Sequence, residues 1–278
     1  MVRRWLITGC SSGLGRALAG AAAAAGDLVL ATARRPQTLD EIRDRYPDTV
    51  ETCALDVRDP AACEAAVRVA VRRFGGVDVL VNNAGYGTLG AVEELTDGEI
   101  EAQLATVLLG PWRMTRLVLP LMRAQHSGHV LMVSSTTGRS AMAGLGAYVA
   151  GKFALEGMTE TLALEIAGTG VRVTLLEAGV FATNYGTALV EAATRLPDYR
   201  PVVDLTGALI RGEIPPGFRL SEPAEFAEAV LALVDDAQPP LRFPLGAQAW
   251  ELLTEAADRD RAARVELAGK LGVPLPAR

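Results

Sequence analysis

Tyr148 and Lys152 stand four residues apart, and Ser135 lies thirteen residues before the tyrosine. On a helix, this spacing places a phenol and an ammonium on one face, about a turn apart. A nearby positive charge favours phenolate, so we expect the lysine to lower the tyrosine pKa from its usual value of about 10. A serine hydroxyl from another element could then hold a carbonyl oxygen against the phenol. The pair also occurs by chance, as a half-buried tyrosine beside a lysine that reaches solvent.

Short apolar runs alternate with longer amphipathic segments along the chain. This alternation predicts a parallel sheet with helices on both faces. The predicted strands lie at 3–8, 28–32, 50–55, 77–81, 129–134, 171–176 and 241–244, and the predicted helices at 13–25, 38–45, 60–74, 97–125, 146–168, 223–235 and 247–270. We therefore expect an α/β fold in a single domain over 1–278, with a doubly wound, mostly parallel sheet of about seven strands.

One irregular stretch interrupts this pattern at 184–222. It contains Pro197, Pro201 and the pair Pro215-Pro216. A loop of this length in a compact domain is usually functional or mobile, which makes the stretch a candidate substrate lid. A disordered surface insertion is the alternative.

The composition narrows the class of protein. The chain has 278 residues, half of them hydrophobic, with a net charge of −6 and no long basic run, which argues against nucleic-acid binding. Cys10, Cys53 and Cys63 show no paired metal-ligand spacing, so no metal site is expected, and their odd number suits a reducing cytosol. No apolar stretch approaches the roughly 20 residues that span a bilayer, so we expect a soluble, cytoplasmic protein.

A glycine-rich turn follows the first predicted strand, in Thr8-Gly-Cys-Ser-Ser-Gly-Leu-Gly15. Glycines let backbone approach a pyrophosphate, and the following helix offers free N–H groups and the positive end of its dipole. Such turns also occur for packing alone. The cofactor-binding residues predicted here are Gly9, Ser11, Ser12, Gly13, Leu14 and Gly15.

The end of the second predicted strand carries Arg34, 19 residues after Gly15, and no acid. An acid at this place binds the ribose 2′-hydroxyl of NAD, whereas an arginine accommodates the 2′-phosphate of NADP. A guanidinium suits phosphate because it forms paired hydrogen bonds. The sequence therefore favours NADP(H) over NAD(H), although a solvent-exposed loop arginine would look the same.

These motifs together resemble the short-chain dehydrogenase/reductase family, over nearly the whole chain. The matching residues are Thr8-Gly9-x-x-x-Gly13-x-Gly15, Leu55-Asp56-Val57, Asn82-Asn83-Ala84-Gly85, Val133-Ser134-Ser135, Tyr148-x-x-x-Lys152 and Gly179 with Thr183. The resemblance implies a Rossmann fold. The opening turn and the Ala-Thr-Ala-Arg strand end look most like the NADPH-using branch with hydroxysteroid and retinol dehydrogenases.

The resemblance also implies roles in cofactor binding. Asp56 is expected at the adenine with the Val57 backbone beside it, and Asn83-Ala84-Gly85 at the adenosine ribose. Gly179 and Thr183 are expected near the nicotinamide carboxamide or diphosphate, and Lys152 at the nicotinamide ribose. Plainer alternatives are that Asp56 caps the next helix and that Asn82-Asn83 forms a simple turn.

The implied activity is hydride transfer between NADP(H) and a ketone or aldehyde. Tyr148 would act as general acid or base, with Ser135 holding the carbonyl oxygen. Ser135 is chosen over Ser134 because neighbouring side chains on a strand point to opposite faces. The alternatives are a cofactor-binding sensor with little turnover and a non-redox enzyme on the same fold.

Two positions depart from the family pattern. Val107 stands where the family usually has an asparagine that helps to position a water between the lysine and solvent, and this leaves the proton supply in doubt. Ala178 replaces the proline that commonly precedes Gly179, which is expected to loosen the nicotinamide loop.

The substrate and the assembly are less defined by the sequence. Pocket walls are expected from 86–95, 136–146 and 180–222, and their apolar residues favour a hydrophobic carbonyl compound. These residues are Leu89, Met142, Leu145, Phe181, Tyr185 and Leu189, which could equally be ordinary core. By resemblance, a homodimer or homotetramer is expected through the helices at 97–125 and 146–168.

Overall fold

The computed structural model describes residues 2–213 and 219–274. Its main element is a parallel sheet of seven strands in the order β3-β2-β1-β4-β6-β7-β9. The strands of this sheet are β1 Arg4–Ile7, β2 Leu28–Ala33, β3 Val50–Ala54, β4 Val79–Asn82, β6 Gly128–Val133, β7 Val171–Ala178 and β9 Arg242–Leu245. A short parallel pair, β5 Thr88–Leu89 with β8 Val190–Glu191, lies apart from it. The predicted α/β fold and all seven predicted strands are confirmed.

Helices cover both faces of this sheet. They are α1 Gly13–Ala24, α2 Asp40–Arg45, α3 Pro60–Phe74, α4 Asp97–Leu104, α5 Gly110–Gln125, α6 Gly146–Glu165, α7 Arg200–Ile210, α8 Pro223–Asp235 and α9 Ala249–Leu271. A π-helical turn, Ala105–Leu109, joins α4 to α5, so the predicted helix 97–125 contains a local widening. None of the helices in the described ranges is long and apolar enough to cross a membrane.

The core has two layers because successive strand residues point to opposite faces. Trp5 and Ile7 pack in one layer with α1 and α8, whereas Leu6 packs in the other with α3, α5 and α6. All three side chains are fully buried. Burial on both faces explains why the strands read as continuous apolar runs rather than as alternating ones.

The stretch 184–222 differs from the irregular loop that its prolines indicate. It contains β8 and the eleven-residue helix α7, while 214–218 lie outside the described residues. Pro201 lies in the first turn of α7, where a missing N–H costs no intrahelical hydrogen bond. The prediction of an irregular segment is therefore wrong for α7, Arg200–Ile210.

Candidate active site

The glycine-rich turn joins β1 to the N-terminus of α1. Gly9 and Gly13 adopt positive φ angles of 73° and 58°, which favour glycine. No side chain caps α1 at Ser12, and its first turn holds no acid. The first N–H groups of α1 therefore lack a side-chain acceptor, and the dipole end suits an anion such as a diphosphate.

Asn83 ties this turn to the neighbouring strand. Its Nδ2 donates to the carbonyls of Thr8 at 2.8 Å and Gly9 at 3.0 Å. In return, the Thr8 hydroxyl accepts from the backbone N–H groups of Asn83 and Ala84. A Cβ on Gly15 would lie 2.3 Å from Asn83 Nδ2, so this glycine makes room for the contact. The segment Asn83-Ala84-Gly85 is thus more than a simple turn, because it fixes the shape of the glycine loop.

Asp56 lies at the end of β3 among basic residues. Its carboxylate accepts from Arg58 Nη2 at 2.6 Å, and Arg58 holds the pKa of that carboxyl below its usual range, with a smaller contribution from Arg34. Arg34 is exposed directly after β2. The cap of α3 is Asp59, whose side chain accepts from Ala61 N, so Asp56 does not cap that helix.

Val57 contributes backbone and packing beside Asp56. Its carbonyl accepts from Arg113 Nη1 at 2.7 Å, and its side chain lies against Gly110, where a Cβ would approach Val57 Cγ2 to 2.7 Å. The start of α5 is thereby fixed next to the end of β3.

Ser135 and Tyr148 meet at the carboxyl edge of the sheet. Ser135 follows β6, and its Oγ accepts from the Thr137 N–H at 3.2 Å and from the Thr137 hydroxyl at 3.0 Å. Tyr148 lies in the first turn of α6 and is 9% exposed. Burial raises the pKa of Tyr148, while the hydroxyls of Tyr185 and Ser135 lower it in part. Both hydroxyls are therefore close enough to act on the phenol.

Ser134 faces the opposite direction, into the interior. Its hydroxyl donates to the carboxylate of Glu156, which is on α6 one turn beyond Lys152. Burial raises the pKa of Glu156, and Arg242 Nη2 lies 3.0 Å from its Oε2. This buried carboxylate anchors the serine strand to α6, and its one sequence signal is the spacing of four from Lys152.

Lys152 is buried, with 5% of its surface exposed, which excludes a lysine that reaches solvent. Its Nζ donates to the Val133 carbonyl at 2.6 Å and lies 5.5 Å from the centroid of the Tyr148 ring. Burial lowers the pKa of Lys152 to about 8, against a smaller opposing effect of Glu156. The expected lowering of the Tyr148 pKa by Lys152 is not found here. The net direction is upward because loss of solvent around the phenol outweighs the opposing effect of the Tyr185 and Ser135 hydroxyls.

The segment after β7 approaches the glycine turn from the other side. A Cβ on Gly13 would lie 3.5 Å from Thr183 Cβ, so Thr183 borders the N-terminus of α1. Gly179 donates its N–H to the Leu245 carbonyl at 2.8 Å, and Ala178 is buried at the end of β7. The strand end is thus fixed by β9 although the common proline is absent.

An apolar wall packs together with Tyr148. It comprises Leu89, Val107, Leu145 and Val203, with Tyr185 and Leu189 packed against them. Val107 is fully buried, and a Cβ on Gly151 of α6 would lie 2.3 Å from its Cγ2. Phe181, by contrast, packs edge-on against Phe226 of α8 in the core, and Met142 is 37% exposed.

Comparisons with known proteins agree with this geometry. The family described as short chain dehydrogenase matches residues 3–194. Oxidoreductase BOA17 from Botryotinia fuckeliana is 37% identical over 259 residues, covering 93% of this chain and 94% of the relative. The crystal structure of a short-chain dehydrogenase from Streptomyces avermitilis is 41% identical, with a TM-score of 0.89, and covers 98% of this chain and 97% of that one.

Structures with this fold hold either nicotinamide cofactor. An alcohol dehydrogenase from Thermococcus sibiricus complexed with 5-hydroxy-NADP is 26% identical, with a TM-score of 0.73 over 89% of this chain and 97% of that one. A short-chain dehydrogenase/reductase from Burkholderia phymatum in complex with NAD shares the fold at 23% identity, with a TM-score of 0.81 and 95% of each chain covered. This chain belongs to the short-chain dehydrogenase/reductase family of oxidoreductases.

Proposed function

We propose that this protein reduces a hydrophobic ketone or aldehyde to its alcohol with NADPH. The observation that carries the proposal is the meeting of Ser135 and Tyr148 beside a buried Lys152, at the sheet edge that also holds an open helix N-terminus. Ligands of open α/β sheets bind at this edge. The shape and charge of the glycine turn fit a dinucleotide diphosphate.

The residues that would hold NADP(H) line this edge in order. The turn Gly9–Gly15 would bind the diphosphate, Asp56 and Val57 the adenine, and Asn83 with the two residues after it the adenosine ribose. Thr183 and Gly179 would border the nicotinamide end, and Lys152 its ribose. Arg34, exposed near Asp56, would pair with the 2′-phosphate.

Bound there, the reduced nicotinamide supplies a hydride to the carbonyl carbon. Ser135 holds the carbonyl oxygen, and Tyr148 delivers a proton to it, so that carbon and oxygen each gain one hydrogen. A proton from solvent then restores the tyrosine. The phenol of Tyr148 is protonated at neutral pH, because burial raises its pKa from an ordinary value that is already about 10, and the protonated form is the one that can donate a proton.

Lys152 has two roles in this scheme. Its ammonium stabilises the negative charge that develops on the carbonyl oxygen, and this effect is strong because the site is buried. It also holds the nicotinamide ribose, for which its Nζ would leave or share the Val133 carbonyl.

The apolar wall around Tyr148 favours a hydrophobic substrate, which agrees with the resemblance of two sequence motifs to the branch with hydroxysteroid and retinol dehydrogenases. Helix α7 packs over this wall through Val203 and Ile210, which makes 184–222 a lid as far as the structure describes it.

The three free cysteines suit a reducing cytoplasm.

A second copy of the chain is proposed to cover the outer surface of α5 and α6. Trp112 on α5 and Phe153 on α6 are 51% and 46% exposed, and such a contact would bury them. Light scattering in solution would contradict this if the protein were a monomer at all concentrations.

The experiment for cofactor choice compares NADPH with NADH over a panel of ketones and aldehydes, in the wild type and in Arg34→Ala. We expect NADPH to be preferred. Loss of a charged hydrogen bond of about 1.5–3 kcal/mol in Arg34→Ala should lower kcat/KM for NADPH about tenfold or more and leave NADH unchanged. Arg68→Ala, on an exposed face of α3, is the matched control.

Three outcomes would contradict parts of this proposal. A preference of the wild type for NADH would remove the role of Arg34. Tight NADPH binding without turnover on any carbonyl would favour the sensor. Absence of binding to either nucleotide would favour a non-redox enzyme.

A further inference from the structure

Tyr185 places a second phenol beside Tyr148. The two ring centroids are 6.0 Å apart, with the ring planes inclined by 57°. The Tyr185 N–H donates to the Thr183 hydroxyl at 3.3 Å, so the residue follows directly on the expected nicotinamide contact. Within 2–213 and 219–274, the Tyr185 hydroxyl is buried and has no hydrogen-bond partner at bonding geometry.

The structure makes room for this hydroxyl at Gly87. A Cβ on Gly87 would lie 2.6 Å from Tyr185 Oη and 2.9 Å from Leu189 Cδ2. The backbone on both sides is fixed, because Gly87 precedes β5 and its carbonyl accepts from the Val190 N–H of β8 at 2.9 Å. Any side chain larger than that of glycine at position 87 would displace the phenol. The position of the hydroxyl therefore depends on the backbone at Gly87 as well as on the segment that carries Tyr185.

An unpaired buried hydroxyl destabilises the folded protein, and a phenylalanine would avoid that cost. Such a group in a folded protein usually has a partner that binds there. The functional group expected to react beside it is the phenol of Tyr148, whose ring centroid lies 6.0 Å from that of Tyr185. The Tyr185 hydroxyl thus lies next to the position of the reacting oxygen.

We propose that Tyr185 forms a second oxygen-binding position next to the Ser135–Tyr148 pair, for a carbonyl substrate with a second oxygen on the carbon two bonds away. This inference rests on the proposed reduction. In a β-keto or β-hydroxy carbonyl compound, both oxygens can point to the same side, one toward Tyr148 and the other toward Tyr185. The rest of the substrate would contact the apolar wall that contains Leu89 and Val203.

Tyr185→Phe tests this position, because it removes one oxygen and keeps the ring. The substrates are ethyl acetoacetate and methyl pentyl ketone, which are similar in length and differ by the second oxygen function. For the variant, we expect kcat/KM to fall about tenfold on ethyl acetoacetate, as for one lost hydrogen bond, and to change less than about twofold on the ketone. Tyr46→Phe, at the end of α2 and remote from the site, is the control.

Equal losses on both substrates, or no loss on either, would overturn the proposal. Calorimetric binding of the two product alcohols to the enzyme with NADPH gives a readout without turnover, because neither the reduced cofactor nor an alcohol can accept the hydride. We expect the hydroxy ester to bind the wild type more tightly than the simple alcohol does, and Tyr185→Phe to remove that difference. Selective binding without any turnover would contradict the proposed reduction alone, and equal binding of both alcohols to the wild type would contradict the role of Tyr185.

Discussion

At the scale of single residues, burial moves the pKa values of the two central groups in opposite directions. It raises the pKa of the Tyr148 phenol and lowers that of the Lys152 ammonium to about 8. At neutral pH the site therefore holds a protonated phenol and a charged lysine, which are the states that a reduction needs.

The pH dependence of reduction should report the protonation of Lys152. Because the Lys152 pKa is lowered to about 8, the ammonium is present below that pH and is lost as the pH rises through it. We expect kcat/KM for NADPH, which reports on the free enzyme, to fall above about pH 8. Lys152→Met should lower the neutral-pH value by about 100-fold and abolish this limb. A wild-type profile that stays flat to pH 10, near the usual lysine pKa, would contradict the assignment.

The sequence contains some of these residue-level facts and lacks others. The choice of Ser135 over Ser134 follows from strand alternation, and the structure places Ser134 on Glu156 and Ser135 near Tyr148. The direction of the Tyr148 pKa could not be predicted, since spacing gives neither the depth of burial nor the Val133 carbonyl that binds Lys152. The unpaired hydroxyl of Tyr185 depends on Gly87, far away in sequence.

At the scale of elements, two glutamate side chains within 92–99 accept hydrogen bonds from the segment that leads into α7. Glu94 is buried and accepts from the Ala91 N–H at 2.7 Å and from the Leu196 N–H at 2.5 Å. Glu99 accepts from the Ala193 N–H at 3.0 Å. The candidate lid is therefore fixed by backbone contacts to a neighbouring loop as well as by its apolar side.

Glu94→Gln should loosen α7. Both carboxylate oxygens accept from N–H groups, and the amide can replace one of them while its NH₂ faces a donor. We expect faster proteolysis within 193–213 and a several-fold higher KM for the carbonyl, with kcat retained. Glu101→Gln, exposed on α4, is the control, and identical behaviour of the two variants would contradict this role.

Low pH should also loosen α7 in the wild type, because protonation of Glu94 removes an acceptor for these N–H groups. The Ala91 N–H holds the pKa of Glu94 below its usual range, with the Leu196 N–H and Arg195 acting in the same direction. A lowered pKa means that the carboxylate persists at neutral pH and is lost only as the pH falls through that lowered value. The lid should thus remain attached across the working range.

Apolar runs along the sequence predict the strands of the main sheet and most of the helices, but they do not predict α7. Pro197 and Pro201 indicate a loop, yet Pro201 occupies a first-turn position that tolerates proline. The π-helical turn at 105–109 has no sequence signal, since Val107 and its neighbours are ordinary helix formers next to Gly110.

At the scale of the whole molecule, one edge of one sheet brings the site together. The carboxyl ends of β1, β3, β4, β6 and β7 lead into the glycine turn, Asp56, Asn83, Ser135 and Thr183, and α6 supplies Tyr148 and Lys152. This convergence follows from parallel strands with right-handed connections, and so the order of motifs along the chain predicts their meeting. The chain as a whole is acidic, with a net charge of −6, and Arg34 is a local exception beside the expected 2′-phosphate.

The most direct test of this account is single-turnover oxidation of bound NADPH by a ketone in Tyr148→Phe and in the wild type. The phenylalanine keeps the ring against Tyr185 and removes the proton donor. We expect NADPH to bind the variant with unchanged affinity and its oxidation to slow by about 100-fold to 10,000-fold, the range for loss of a general acid. Oxidation at the wild-type rate in Tyr148→Phe would contradict the central role given to this tyrosine.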